Sequence, residues 1–202
     1  MSAVISVVQN CGENYAGYSQ EVAKSISYLL SIDNCTANKN DNPIEIPSIG
    51  TNYSYETWIR LRCDLAPNNY INNIKVWYDS GMPASGYLLT VNDNAINTYQ
   101  KPVNLVSSQG NRVDFTTKNS EENSIILSGT LSDVGDYTSY LVFQVEVLST
   151  AEPGGYGVDY LIQYDEYWHK VLIWNELQKI IVVKHAEILL VEILHYKECV
   201  LI

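Results

Sequence analysis

The stretch from Thr138 to Glu166, TSYLVFQVEVLSTAEPGGYGVDYLIQYDE, most constrains what this chain can become. Leu141, Phe143, Val145 and Val147 are apolar at alternate positions, with Gln144 and Glu146 between them. Val158, Tyr160, Ile162 and Tyr164 repeat the pattern against Asp159, Gln163 and Asp165. A period of two places alternate side chains on opposite faces of a strand, so each segment reads as a strand with one buried side. The Pro153-Gly154-Gly155 turn between them cannot continue a strand or enter a helix. A pair of long strands demands a sheet, and a one-sided sheet demands a second layer over it.

The rest of the composition fits that demand. Only two Phe stand against 16 Tyr and four Trp, and 46% of the 202 residues are apolar. Tyr, Thr, Val and Ile favour strands, while Asn, Ser and Gly supply turns. A chain of this length has room for one domain with a real core. Its net charge of −11 opposes both nucleic acid and an anionic membrane surface, which call for Lys and Arg. Residues Met1 to Asn10 show neither a charged start nor a long apolar run, so no signal peptide is expected.

Four cysteines, Cys11, Cys35, Cys63 and Cys199, have no C-x-x-C spacing, and no His lies near the first three. Zinc is therefore not expected. A Cys11–Cys35 disulfide stays open beside the favoured reading of separate thiols in a reducing compartment. Cys63 alternates in phase with Ile59 and Leu61 and reads as core. The final Cys-Val-Leu-Ile matches a prenylation box in pattern, without a polybasic stretch beside it.

Along the chain, residues 1–24 read as an N-terminal arm of loose or edge structure. A β-domain follows over 25–166, opening with a first strand over Ser25–Asp33. Asn34–Ser54 is loop, with a short edge strand at Ile44-Glu45-Ile46 between Pro43 and Pro47. Further strands are expected over Glu56–Asp64, Asn73–Asp79, Tyr87–Asn92, Arg112–Thr117 and Ser124–Thr130. With the two long ones they make about eight, arranged as an antiparallel two-sheet sandwich of jelly-roll or Greek-key type.

After Glu166 the composition breaks. Residues 166–202 hold no Gly, Pro, Ser, Thr or Asp, yet contain all three His. Leu177, Ile180, Ile181, Ile188, Val191 and Leu194 recur at helical spacing, which predicts an amphipathic C-terminal helix within 167–202. Glu176, Lys179, Lys184, Glu187 and Glu192 are too many charges for a membrane span. The segment is either an appended oligomerisation or docking helix or a foreign extension.

No catalytic set is visible. A nucleophile needs a base within hydrogen-bond reach, and no Gly-x-Ser-x-Gly elbow or phosphate-cradling loop occurs. His185 and His195, with Glu187 and Glu192, lack the spacing that puts two His on one turn. Asp64, Asp79, Asp133 and Asp136 are candidate paired acids, but acids near strand ends are ordinarily turn formers. Calcium is the more reasonable ion. Asp33, Asn34, Asn38, Asn40, Asp41 and Asn42 crowd one loop, and Asn92, Asp93 and Asn94 another, though neither fits a calcium-loop pattern. No cofactor and no enzymatic activity are expected. Trp58 shares a strand face with Arg60 and Arg62, and Trp77 shares one with Lys75 and Asp79. Either could stack on sugar rings; burial under a second layer is the favoured alternative.

Trp58-Ile-Arg-Leu-Arg62 and Asn72-Asn-Ile-Lys-Val-Trp77 are followed by Gly129-Thr-Leu131, Gly135-Asp-Tyr137 and Tyr140-Leu-Val-Phe-Gln-Val145. Ala151-Glu-Pro-Gly154 and Tyr164-Asp-Glu166 complete the order. It resembles β-sandwich structural proteins encoded by tailed phages and related environmental viruses, over roughly residues 25–166. The resemblance implies a non-catalytic virion component, capsid-decorating or tail- or baseplate-associated, made in a host cytoplasm. Its implied partners are other virion proteins or further copies of itself. The other function open to the chain is a carbohydrate-binding module that recognises host-surface glycans through Trp58 or Trp77.

Overall fold

A computed structural model describes residues 3–13, 19–81, 85–167 and 199–201. These form twelve strands and one 3-10 turn. In chain order they are β1 (Val4–Gly12), β2 (Ser19–Ala23), β3 (Ile26–Ser27), β4 (Thr51–Tyr53), β5 (Thr57–Leu65) and β6 (Tyr70–Ser80). Then come β7 (Tyr87–Asn92), β8 (Arg112–Asp114), the 3-10 turn Phe115–Thr117 and β9 (Ile125–Leu127). The last are β10 (Leu141–Leu148), β11 (Val158–Tyr167) and β12 (Cys199–Leu201).

Two sheets result. The first is antiparallel, in the order β2-β1-β5-β10-β7-β8, with β4 also on β10. The second is built on antiparallel β11-β6-β9; β12 lies beyond β11, and β3 runs parallel to β12. One core serves both sheets. Leu61 and Cys63 of β5, Leu89 and Val91 of β7 and Phe143 of β10 cluster with Ile74 and Val76 of β6 and Tyr160 of β11. Phe115, on the 3-10 turn, stands 5.0 Å from the Phe143 ring and 6.4 Å from that of Tyr160, linking the sheets. Each such side chain contributes about 1.5–3 kcal/mol by leaving water. At the end of β6 the chain passes so close to residue 157 that a Cβ on Gly81 (φ +79°) would collide with the Gly157 carbonyl.

Several expectations change. Residues 1–24 hold β1, an interior strand between β2 and β5. Val7, Val8, Gln9, Asn10 and Cys11 are all buried, so both faces are covered and the strand shows no alternation to read. The expected strand over Ser25–Asp33 shrinks to Ile26–Ser27, and Ile44–Ile46 makes no strand. In its place β4 forms at residues 51–53, beyond both prolines. Arg112–Thr117 is a three-residue strand followed by the 3-10 turn, capped where Asp114 accepts from the Thr116 N–H. Cys11 and Cys35 are joined as a disulfide, Cα to Cα 5.8 Å, against the favoured reading of separate thiols. Cys63 is a buried free thiol.

The C-terminal helix expected within 167–202 falls on residues 168–198, outside those described. The described ends of that segment, Tyr167 and Cys199–Leu201, are strand.

Candidate interaction surface

β10 has both faces covered. Leu141 and Phe143 point into the shared core and Val147 is buried on the same side, while Val142 and Gln144 on the other face are buried as well. What buries them is the long connection between β7 and β8. Backbone bonds anchor its start, with Asp93 N–H donating to Asn111 O at 2.7 Å and Tyr140 N–H to Ile96 O at 2.7 Å. Asn92 donates to Asn94 O at 2.7 Å and to Tyr140 O at 3.2 Å, and accepts from Val142 N–H at 2.6 Å. Beneath this strap lies a second small core of Trp58, Tyr140 and Val142, closed over by Ile96 and Tyr99. Trp58 meets Tyr99 and Tyr140 edge-on at 5.3 and 5.4 Å, and the Tyr99 hydroxyl donates to Gly12 O at 2.7 Å. Burial raises the Tyr99 hydroxyl pKa far above its ordinary value, with the nearby Asp33 adding to the effect.

Farther along, Glu56 and Gln144 hold the strap. The Glu56 carboxylate accepts from Trp58 Nε1 at 3.1 Å and from Val103 N–H at 3.4 Å, and Glu56 N–H donates to Val103 O at 3.0 Å. Gln144, 1% exposed, donates to Ser54 O at 3.0 Å, Val103 O at 3.3 Å and Leu105 O at 2.8 Å. Its Oε1 accepts from Ser107 N–H at 3.0 Å. A buried amide with every group engaged fixes a loop far better than apolar contact, which is non-directional. The consequence is that Leu105 and Val106, held between these bonds, stand 70% and 65% exposed. Leu88 and Leu148, also exposed, share this face of the sheet, because Leu88 pairs with Glu146 in register.

Charge is nearby and largely internal. Arg112 donates to Thr90 Oγ1 at 2.7 Å and to the carbonyl of Val142. Burial lowers its pKa to about 10 against the pull of Glu56 and Glu146, so it stays cationic at neutral pH. Arg112 Nε and Glu56 Oε1 are buried without a hydrogen-bond partner among the described residues. On the β1–β2 side, Glu21 accepts from Arg60 at 2.7 Å, Arg62 at 3.1 Å and the Tyr137 hydroxyl at 2.9 Å. The Arg60 guanidinium also lies 3.5 Å over the Tyr137 ring. This network joins β2 to β5.

The residues singled out from sequence are placed as follows. Trp58 is fully enclosed and has no face open to a sugar. Trp77 is half-buried on β6, opposite Leu161 of β11, and the two Trp lie on different sheets. Asp64 pairs with Arg62 at 2.7 Å and with Ser6, whereas Asp79 is exposed at the end of β6. Asp136 accepts from the Ser132 and Asp133 N–H groups at 2.8 Å each, bonds that lower its pKa and close a turn. Asp33 accepts from Gly12 N–H at 3.0 Å, while Asn34 and Asn38 accept from Thr36 and Asn40 N–H groups. Asp33 is thus spent on the end of β1, and Asn34 and Asn38 on their own loop's backbone. Among the described residues no group of three or more His, Cys, Asp or Glu could hold a metal ion. His185, His195, Glu187 and Glu192 lie outside the described residues.

The strap and its buried hub are absent from the sequence reading, which put Gln144 on a solvated face. The one available signal was the length of the connection from Asp93 to Asn111, since structureless loops that long are commonly functional. No protein-family model, curated protein or solved structure matches the chain.

Proposed function

We propose that the protein is a non-catalytic assembly scaffold whose two sheets pack as a jelly-roll-like sandwich and whose strap docks a second copy of the chain. The common core of the two sheets supports the sandwich. The observation that carries the docking role is the rigid display of Leu105 and Val106. A chain that anchors a loop by a buried glutamine and then exposes two apolar residues on it has built a contact, since exposed apolar patches mark interaction sites. Self-docking fits a surface beside which Glu56 is buried and Arg112 donates inward to Thr90 and the Val142 carbonyl. The virion role, with other virion proteins as further partners, is the form of this reading that the sequence resemblance suggests. Of the two Trp singled out for sugar stacking, Trp77 keeps an accessible side chain, because Trp58 is enclosed.

The experiment is chemical cross-linking of the full chain, with and without Leu105→Asp. Cross-linked dimers that disappear in the variant support the reading. Equal cross-linking in both, or none in either, overturns it.

A further inference from the structure

A cavity of about 430 Å³ opens at the end of the sheets away from the strap's start. Its floor is apolar, made by Leu89 and Val145 of the first sheet and Val158 of the second. One wall is the loop between β3 and β4, with Leu30 and Ile44, and the other is the turn that carries Tyr156. The hydroxyls of Tyr87 and Tyr156 both donate to Glu152 O, at 2.7 and 3.3 Å, so their rings, 5.0 Å apart, offer carbon rather than oxygen to the cavity. The volume falls in the range of sites that enclose small organic ligands.

Among the described residues one charged side chain lines this space, and it is a lysine. Lys39 is exposed, its Nζ 5.5 Å over the Tyr28 ring, and no carboxylate among the described residues forms an ion pair with it. In a chain of net charge −11, an unneutralised ammonium at the mouth of an apolar cavity selects the sign of what enters. The wall that bears it is fixed in advance. Tyr55 N–H donates to Leu30 O at 2.9 Å and Ser31 N–H to Asn42 O at 3.2 Å, and the Cys11–Cys35 bond ties the same loop to β1. A wall already ordered spares a ligand the entropy of ordering it.

We propose that this cavity binds a small amphipathic anion, an apolar chain or ring system that carries one carboxylate or sulfonate. The apolar body lies over Leu89, Val145 and Val158, and the anionic head meets Lys39. The site is separate from the Leu105–Val106 surface and does not depend on self-docking.

The test is fluorescence titration of the full chain with 1-anilinonaphthalene-8-sulfonate, followed by displacement with decanoate and with decyltrimethylammonium. The expected result is one saturable site, displaced by decanoate and not by the cation. Lys39→Glu is expected to weaken it by about tenfold or more, the loss of a charge-assisted contact, while Lys39→Arg retains it. Ile44→Trp, which fills the rim, is expected to weaken both ligands, with circular dichroism confirming that each variant is folded. Absence of a saturable site, equal displacement by the cation, or Lys39→Glu binding like the parent protein would overturn the proposal.

Discussion

The side-chain amide of Gln144 donates to the carbonyl of Leu105 at 2.8 Å, and Leu105 nevertheless remains 70% exposed. The bond fixes the backbone at a point where the side chain has no internal contact to gain. Substituting Gln144→Leu keeps the volume and strips the hub, taking the Gln144 bond from Ser54 O, Leu105 O and Ser107 N–H. A loss of about 2–4 kcal/mol in unfolding free energy is expected, the cost of buried backbone groups left unpaired. Urea denaturation measures it, and faster amide exchange at Ser107 would locate it.

The Cys11–Cys35 bond closes a loop with a sequence separation of 24 residues. Cross-linking a loop of that size restricts the unfolded chain by about 3 kcal/mol. A paired Cys11→Ala, Cys35→Ala protein should therefore melt at lower temperature, and the parent protein should fall to the same value in reductant. Comparing thermal melts with and without dithiothreitol checks both.

Two carboxyl groups should tilt the stability–pH profile in opposite directions. Burial alone would raise the Glu21 pKa, but hydrogen bonds from Arg60, Tyr137 and Arg62 outweigh it and the net shift is downward. The folded state then binds fewer protons than the unfolded one. Its stabilisation is complete above the ordinary glutamate range and is lost as pH falls through the lowered pKa. Asp33 is shifted upward, chiefly by burial, so its contribution is present below its unfolded pKa and lost as pH rises through the folded one. Glu21→Gln should lower stability at pH 7 and converge on the parent protein in acid. Asp33→Asn should do the reverse, gaining relative to the parent as pH rises. Denaturation midpoints across pH 3–8 decide the signs.

Phe115 joins the sheets from a three-residue 3-10 turn and is fully buried. Phe115→Ala removes a ring that meets Phe143 and Tyr160, at an expected cost of about 3–5 kcal/mol. Phe115→Leu should recover much of it. Calorimetric melting of the two variants makes the comparison.

The long strands with clear sequence signals were legible. Alternation placed segments that lie inside β6, β10 and β11 and that match β5 to within one residue at each end, since Ile59, Leu61, Ile74, Val76 and Phe143 are inward, and the glycine-rich turn signal before Tyr87 placed β7. β1 was not, because Val7 to Cys11 are buried on both faces and period two carries no information there. β4 and β8 are short, and their pairing is set by neighbours distant in sequence, Glu146–Leu148 and Thr90–Asn92. The strap was illegible for a related reason. Gln144 occupies the polar phase of an alternating strand, and only tertiary structure turns that phase inward against Ser54, Val103 and Leu105. Trp58 could be read either way until Tyr99 and Tyr140 were seen to enclose it.

The central claim is that the exposed Leu105–Val106 strap docks a second copy. Its most direct test is molar mass in solution by light scattering, for the full chain and for the double variant Leu105→Asp, Val106→Asp. The account predicts a dimer or larger species for the full chain and a folded monomer for the variant. A full chain that is monomeric at every concentration reached, or an oligomer untouched by the two substitutions, would contradict it.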